Sequence, residues 1–209
     1  MSGIGTAGGA IGDSGSGSVG RIVYLHGFRS SPASFKARMI GERLVELGQG
    51  ERFVCPQLPA SPAAALALVL GEIAPGPDDV LIGSSLGGFY ATCVAERRAC
   101  RAVLLNPAMH PARDLRGHVG EQTMYHDNEP FVFEARYIDE FAAMAPAGIA
   151  DPSRYFLVAA KGDELLDWRE MVAAFPGART RLIEGSDHGL SDFASWLPEV
   201  LEFAGIGAP

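Results

Sequence analysis

The sequence predicts an α/β fold in which a mostly parallel sheet carries helices on both faces. Two observations predict it. From Arg21 onward, short and continuously apolar runs alternate with stretches of helical periodicity, a pattern typical of strands that are buried on both faces. In addition, the chain has 209 residues, of which 47% are hydrophobic, and this is enough for one domain with a substantial core.

Six apolar runs are the predicted strands. In chain order they are RIVYL (21–25), RFVCP (52–56), DVLIG (79–83), RAVLLN (101–106), RYFLVAA (154–160) and RTRLIEG (179–185). We expect them to lie side by side in the order 2-1-3-4-5-6, so that the sheet reverses direction between strands one and three. Ligands bind at such a switch point, outside the carboxyl ends of the strands.

Five stretches outside the strands have helical periodicity. They cover residues 35–48, 61–74, 86–98, 168–175 and 191–205. Ser61 is the expected N-cap of the second helix, with Pro62 at its first position. Pro198 lies inside the last stretch, where we expect it to make the helix irregular.

The alternation of strands and helices breaks after the fourth strand, over about residues 107–153. This insertion holds three of the five histidines and one stretch of helical spacing, FVFEARYIDEFAAMA (131–145). An insertion of this length after a strand is typical of a lid that covers a site. Residues 1–20 are rich in glycine and serine, so we expect a disordered leader there and a single domain over residues 21–209.

Composition excludes several classes of partner. The net charge is −8 and no Lys/Arg run is present, which argues against binding to nucleic acid or to an anionic membrane. Cys55, Cys93 and Cys100 lack metal-ligand spacing and are expected to be reduced thiols. The most apolar run, residues 63–74, is too short to span a bilayer, and the N-terminus lacks signal-peptide features. We therefore expect a cytoplasmic protein.

Two adjacent serines follow the third strand, in GSSLG (83–87). The G-x-S-x-G frame fits Ser85 rather than Ser84. A nucleophile on a sharp strand-to-helix turn sits in strained backbone, and Gly83 and Gly87 remove side chains that would collide there. The N-terminus of the following helix also offers N–H groups where an oxyanion forms. The alternative is a tight turn without chemistry.

A serine hydroxyl becomes a nucleophile only when a base removes its proton. His188 directly follows the last strand, between small residues, and is the predicted base. His26 follows the first strand, where we expect it to shape the loop rather than act as the base. His110, His118 and His126 lie in the insertion and are expected to be solvated loop residues.

The base in turn needs a carboxylate to orient it. Asp163, just after the fifth strand, gives the chain order Ser85, Asp163, His188, which is the order associated with this geometry. The rival carboxylates are Glu164, Asp167, Asp187 and Asp192. Of these, Asp187 is adjacent to the histidine and is expected to point away from its ring, while Asp167 has the place of a helix cap.

An oxyanion hole needs two N–H donors. One is expected from Leu86, directly after the nucleophile, and the other from Phe28 in the loop HGFRSSP, where Gly27 permits close approach. His26 and Gly27 are therefore expected to border the substrate. The insertion offers limited apolar surface: Met124, Tyr125, Phe131, Phe133 and Tyr137. Of these, Tyr125, Phe131 and Tyr137 are the predicted substrate contacts, which favours short or medium acyl groups, although each aromatic fits an ordinary core equally well.

These residues together resemble the α/β-hydrolase superfamily without its first antiparallel strands. Within it, the chain is similar to the YqiA-like esterases of the UPF0227 group. The matching stretches are YLHGFRSSPASFKA, GSSLGGFYAT, LLNPAMHP, VGEQTMY, FVFEARYIDEF, GDELLDWRE and IEGSDHGLSDF. The resemblance implies a cytosolic carboxylic-ester hydrolase that also cleaves acyl thioesters, with no cofactor and no metal. It carries the nucleophile, acid and base over to Ser85, Asp163 and His188.

The predicted function is therefore a serine esterase that hydrolyses short- to medium-chain esters through an acyl-enzyme. The first alternative is a non-catalytic module of the same fold that binds a small molecule or a protein. Within enzymes, an acyltransferase or a C–C hydrolase would use the same three residues. The sequence leaves the natural substrate and the oligomeric state open.

Overall fold

Six parallel strands form the central sheet of the computed structural model, which describes residues 20–207. The strands are β1 (Ile22–Leu25), β2 (Phe53–Val54), β3 (Val80–Ser84), β4 (Arg101–Leu105), β7 (Tyr155–Ala160) and β8 (Arg179–Ile183). Their order is β2-β1-β3-β4-β7-β8, and all five pairings are parallel. The numbering differs from the expected 2-1-3-4-5-6 only because the insertion contributes two strands of its own. The expected leader, apart from Gly20, lies outside the described residues.

Helices follow the sheet strands as predicted, with two changes at their ends. They are α1 (Phe35–Glu46), α2 (Pro62–Ala67), α3 (Leu86–Arg98), α6 (Trp168–Ala174) and α7 (Leu197–Phe203). The Ser61 hydroxyl accepts from the N–H of Ala64 at 3.2 Å, which confirms the predicted cap of α2, and a π-helical segment over Leu68–Ile73 continues that helix. The last helix begins at Leu197 rather than at residue 191, because Pro198 fits the first turn, where its missing N–H has no cost.

The insertion contains a hairpin that the sequence pattern did not predict. Its elements are α4 (Pro111–Asp114), β5 (Gly120–Thr123), β6 (Pro130–Phe133) and α5 (Arg136–Met144). The prediction of helical spacing over 131–145 is therefore wrong at its start, since residues 131–133 pair antiparallel with β5. From Arg136 the helical spacing is correct, and α5 buries Tyr137, Ile138, Phe141 and Met144.

Two apolar clusters pack on opposite faces of the sheet. In β1, Val23 and Leu25 belong to the cluster under α2, α3 and α5, while Ile22 and Tyr24 belong to the cluster under α1 and α7. Because alternate side chains of a strand point to opposite faces, this division explains why the strands are continuously apolar. Within residues 20–207, no helix is long and apolar enough to cross a membrane.

Candidate active site

Ser85 lies between the end of β3 and the start of α3, in a backbone conformation that is rare for a residue with a side chain. Its φ is 54° and its ψ is −120°, a strained combination that persists only where the surroundings hold it. The Ser85 N–H donates to the carbonyl oxygen of Leu105 at 3.0 Å, and its own carbonyl oxygen accepts from Ala108 at 3.0 Å. Both bonds tie the turn to the chain at the end of β4.

The glycines that flank this turn are required by close backbone contacts. A Cβ atom on Gly83 would lie 2.7 Å from the Cα atom of Gly88, and one on Gly87 would overlap the backbone of Leu25 in the neighbouring β1. Both contacts, the second of which is 1.9 Å from the carbonyl oxygen of Leu25, are shorter than real Cβ contacts. The expectation that this turn tolerates only small residues is thus correct, and it places α3 tightly against the sheet.

The side chains of Ser85, His188 and Asp163 form a continuous hydrogen-bonded chain. His188 Nε2 lies 2.9 Å from Ser85 Oγ, and His188 Nδ1 lies 2.8 Å from Asp163 Oδ2. The Asp163 side chain is fully buried, and the His188 side chain is 17% exposed. The second oxygen of Asp163 accepts from the N–H groups of Leu165 and Leu166, each at 2.9 Å. The carboxylate is therefore fixed on both sides.

Each rival carboxylate has a different partner. Glu164 accepts from the backbone N–H of His188 at 3.0 Å, and Asp167 caps α6 through the N–H of Arg169. Asp187 accepts from the N–H of Ser191 at 2.9 Å. Asp192 accepts from the hydroxyl of Ser186 and from the indole N–H of Trp196. Among the described residues, none of these four forms a hydrogen bond with the histidine ring, whereas Asp163 does.

Asn106, which the sequence reasoning missed, holds the loop that carries His188. It is fully buried at the end of β4. Its side-chain amide donates to the carbonyl oxygens of Asp187 and His188 at 3.0 and 3.1 Å, and its Oδ1 accepts from the N–H of Ala160 at 2.8 Å. A single polar residue thereby joins β4, the end of β7 and the histidine loop.

The loop after β1 borders Ser85, as expected for an oxyanion hole. A Cβ atom on Gly27 would lie 3.3 Å from the Cβ atom of Ser85. Within residues 20–207, the N–H groups of Phe28 and Leu86 donate no hydrogen bond. Phe28, Leu86 and Ser85 line one cavity, so both N–H groups are free to serve a substrate oxygen.

That cavity has a volume of about 500 Å³ and lies between the sheet edge and the insertion. From the insertion it is lined by Asp114, Leu115, His118, Tyr125 and His126. His118 is exposed, as expected, yet its ring packs edge-on against Phe28 with a centroid separation of 5.4 Å. The insertion therefore forms one wall of the cavity that Ser85 lines, and its role as a lid stays a prediction.

The other predicted substrate contacts divide into two groups. Tyr125 is 64% exposed and lines the main cavity, whereas Phe131 lines a second cavity of about 300 Å³ behind the loop of Phe28. Tyr137 lines neither of these two cavities. It is buried against Phe133 in the core of the insertion, so its expected substrate contact finds no support in its position.

His26 has a structural environment rather than that of a base. It is 4% exposed and lines the second cavity, whose lining does not include Ser85. Its Nε2 accepts from the N–H of Leu58 at 3.0 Å, so the ring proton lies on Nδ1, which donates to the carbonyl oxygen of Gly27 at 3.0 Å. Burial lowers the pKa of His26, which keeps the ring neutral and the loop in place.

The next feature is the arrangement of side chains that could bind a metal ion. Among residues 20–207, no group of three or more His, Cys, Asp or Glu side chains is arranged to hold one. The three cysteines are unpaired, and burial raises the pKa of Cys93 and of Cys100 to about 11. The groups that the structure gathers at this edge are the hydroxyl of Ser85, the imidazole of His188 and the carboxylate of Asp163.

Solved structures share this architecture at low sequence identity. The chain is similar to alpha/beta hydrolase domain-containing protein 10 from mouse, at 16% identity and a TM-score of 0.64, over 87% of this chain and 89% of that chain. It is also similar to Est1E from Butyrivibrio proteoclasticus, solved with ferulic acid bound, at 15% identity and a TM-score of 0.63, over 88% of each chain. The esterase RhEst1 from Rhodococcus sp. ECU1013 matches at 15% identity and a TM-score of 0.59, over 89% of this chain and 90% of that chain. These likenesses establish the α/β-hydrolase fold.

A family model gives the narrower assignment. It is described as the uncharacterised protein family UPF0227, and it matches residues 21–205. The match covers the sheet, the insertion and the loops that carry Ser85, Asp163 and His188. The chain belongs to the uncharacterised protein family UPF0227.

Proposed function

We propose that this protein is a serine esterase that hydrolyses short- to medium-chain carboxylic esters through an acyl-enzyme intermediate. The observation that carries the proposal is the position of His188, whose two ring nitrogens lie 2.9 Å from Ser85 Oγ and 2.8 Å from Asp163 Oδ2. An imidazole held between a hydroxyl and a buried carboxylate is the arrangement that activates a serine. One of the similar structures, that of RhEst1, is of a protein named as an esterase, which agrees with the proposal.

In the first half of the reaction, Ser85 Oγ attacks the acyl carbon while His188 Nε2 takes its proton. Asp163 accepts from Nδ1–H and so keeps Nε2 free to act as the base. His188 then gives the proton to the departing alcohol. In the second half, water attacks the acyl carbon while His188 Nε2 takes its proton. The bond between the acyl carbon and Ser85 Oγ then breaks, the carboxylic acid leaves, and His188 returns the proton to Ser85 Oγ.

The oxygen that becomes negative in each half needs donors that are already in place. The N–H groups of Phe28 and Leu86 fill this role in the proposal, since both residues line the cavity of Ser85 and neither N–H donates within residues 20–207. Leu86 also begins α3, whose N-terminus is the positive end of the helix dipole. Loss of one such donor typically lowers the rate by about 10²- to 10³-fold.

The size of the cavity limits the substrate. About 500 Å³ has room for a short or medium acyl chain together with the alcohol, and the lining includes several polar side chains. Acyl thioesters are the second substrate class that the same residues serve, because the chemistry at the carbonyl carbon is shared. The net charge of −8 does not help to attract a highly anionic thioester.

A chain-length series tests the proposal. We expect p-nitrophenyl acetate and butyrate to be hydrolysed with a higher kcat/KM than p-nitrophenyl palmitate. Acyl-CoA thioesters of the same chain lengths are measured in parallel. The Ser85→Ala variant is the control and should have no activity above background. Much faster hydrolysis of the long-chain ester, or unchanged turnover by Ser85→Ala, would contradict the proposal.

A further inference from the structure

Lys36 is a buried cation at the edge of the active-site cavity that the proposed reaction does not use. It is 6% exposed and lines the same cavity as Ser85. Its Nζ donates to the carbonyl oxygen of Gly189, and no carboxylate of residues 20–207 lies within 4.0 Å of it. Burial lowers the pKa of Lys36 to about 8, while attraction by Asp187 and Asp163 acts in the opposite direction. The ammonium group therefore remains largely charged at neutral pH, with two of its three donors unused.

The start of α1 adds unused donors at the same place. Ser34 is the N-cap of this 12-residue helix, but its side chain makes no capping bond. Its Oγ is buried, and the Tyr24 hydroxyl is the polar group beside it. The N–H groups of Phe35 and Lys36 donate no hydrogen bond within residues 20–207. Ser34, Phe35 and Lys36 all line the cavity.

These groups form a set of hydrogen-bond donors around one cation, whose charge Asp187 and Asp163 offset only in part from outside the cavity lining. An uncapped helix N-terminus attracts anions through its free N–H groups and its dipole. A buried ammonium with one carbonyl partner is costly unless an anion completes its surroundings. The buried hydroxyl of Ser34 supplies one more donor. We call Ser34, the first N–H groups of α1 and Lys36 the α1 anion site.

The α1 anion site lies on the side of the departing alcohol. Lys36 is bonded to Gly189, the residue that follows His188. In the proposed reaction, His188 passes its proton to the alcohol oxygen, so the alcohol must face this loop. A group attached to the alcohol therefore approaches Lys36.

We propose that the preferred substrates are esters whose alcohol part carries a carboxylate, which binds at the α1 anion site. This inference rests on the proposed esterase function for its catalytic meaning, and it names the substrate class of that site. The chain as a whole has a net charge of −8, so its overall charge does not attract anions. The carboxylate is therefore recognised by the α1 anion site alone.

One carboxylate of the cavity argues for a different substrate and enters the test. Asp114 lines the opposite wall, in the insertion, and its Oδ2 is buried without a partner among the described residues. Its Oδ1 is paired with the guanidinium of Arg113 at 2.8 Å, which offsets the charge. If Asp114 dominated, a cationic alcohol part would be preferred.

Three phenyl acetates that differ only in the para substituent distinguish these outcomes. They are 4-acetoxybenzoate, its methyl ester and 4-(trimethylammonio)phenyl acetate, each with kcat/KM divided by its rate of hydrolysis by hydroxide. We expect the carboxylate to exceed the neutral ester by about tenfold or more, as for a hydrogen bond to a charged group. The ratio should fall to about one in Lys36→Gln and in Lys36→Met, and should persist in Lys36→Arg.

Lys161 provides the matched control, because it is the only other lysine of the chain. It pairs with Glu184 at the surface, and Lys161→Met removes the same charge outside the cavity. Since Lys36 also holds Gly189, absolute rates fall in its variants, and only the ratio of the two esters measures recognition. An unchanged ratio in Lys36→Gln, an equal loss in Lys161→Met, or a preference for the trimethylammonium ester would overturn the inference.

A binding measurement separates this inference from the esterase proposal. In Ser85→Ala, calorimetry should show that 4-hydroxybenzoate binds about tenfold or more tightly than its methyl ester, and that Lys36→Gln in the same background removes the difference. Lys36-dependent binding without any ester hydrolysis by the wild type would refute the esterase and support the anion site. Hydrolysis of neutral esters with neither discrimination nor binding of the carboxylate would refute the anion site alone.

Discussion

The side-chain amide of Asn106 lies 3.1 Å from the backbone carbonyl oxygen of His188, a residue 82 positions later in the chain. The same amide donates to Asp187, and its oxygen accepts from Ala160. Because Asn106 is fully buried, water cannot replace these bonds. The position of the proposed base therefore depends on an asparagine whose side chain forms its hydrogen bonds with Asp187, His188 and Ala160 rather than with the serine or the acid.

Replacing Asn106 with aspartate is expected to weaken both folding and activity. Asn106→Asp keeps the acceptor for Ala160 but removes the donor to Asp187 and His188. The carbonyl oxygen of His188 loses its donor, whereas that of Asp187 keeps the N–H of Leu190 at 3.0 Å. The free energy of unfolding, measured by urea unfolding, should therefore fall by about 1–3 kcal/mol, and kcat should fall as well. Asn128→Asp, at the only other asparagine, which is exposed in the insertion, is the control. Equal stability of the two variants would show that the network has no such role.

Replacing Asp163 with asparagine is expected to affect catalysis far more than folding. The variant keeps the shape of the side chain but no longer fixes the proton on His188 Nδ1, so kcat should fall by around 10⁴-fold. Steady-state hydrolysis of p-nitrophenyl butyrate measures it. Asp167→Asn, which changes the cap of α6, should retain most of the activity. Near-normal turnover by Asp163→Asn would mean that another group orients the histidine.

His26 is expected to make the protein less stable as the pH falls. Burial lowers its pKa in the folded state below the ordinary value of 6.5. Below pH 6.5 the unfolded chain binds a proton at His26 that the folded chain does not bind. The contribution of His26 to stability is therefore present above pH 6.5 and is lost progressively as the pH falls.

Urea unfolding between pH 8 and pH 5 measures this loss. His26→Gln should show a smaller decrease in the free energy of unfolding over that range than the wild type, whatever its absolute stability. His110→Gln, at a largely exposed histidine, should behave like the wild type. Parallel pH profiles for His26→Gln and the wild type would contradict the expectation.

Arg29 is expected to hold the hairpin of the insertion against the loop of Phe28. Its guanidinium donates to the carbonyl oxygen and the hydroxyl of Thr123 at 2.6 and 3.1 Å, and it lies 4.4 Å from the ring centroid of Tyr125. Without these contacts, the hairpin should be less stable against local opening by about 1–2 kcal/mol. This free energy corresponds to a five- to thirtyfold larger population of the open hairpin.

Hydrogen exchange tests this contact directly. In Arg29→Met, the amides of residues 120–133 should exchange about five- to thirtyfold faster, while those of the central sheet should not change. Arg43→Met, which removes an exposed ion pair with Glu46 on α1, is the matched control. Wild-type exchange rates in the hairpin of Arg29→Met would show that other contacts hold it.

The fold was predictable because its signals are local. The strands of the sheet are continuously apolar, and Gly83, Ser85 and Gly87 mark the turn before α3 in five consecutive residues. Loops that follow parallel strands meet at one edge, so the side chains of Ser85, Asp163 and His188 were expected to lie close together, and their hydrogen-bonded geometry agrees with that expectation. Their catalytic role remains a prediction.

The contacts that hold the site were not predictable, because they join residues that are distant in the chain. Lys36 donates to Gly189, which lies 153 positions later in the chain. In the sequence alone, Lys36 has the pattern of an ordinary residue near the start of a helix. Asn106 precedes a proline, and its neighbours in the sequence indicate only the end of a strand. The hairpin was missed because its β6 strand is too short for alternation to stand out from the helical spacing of α5. Only the tertiary fold gives these residues their partners.

Labelling with a fluorophosphonate probe tests the central claim most directly, since it asks whether one hydroxyl of this chain is an activated nucleophile. Peptide mass spectrometry should find the probe on Ser85 of the wild type, none on Ser85→Ala, and undiminished labelling of Ser85 in Ser84→Ala, the variant at the neighbouring position. Folded wild-type protein that takes up no probe, or labelling that survives in Ser85→Ala, would contradict the account.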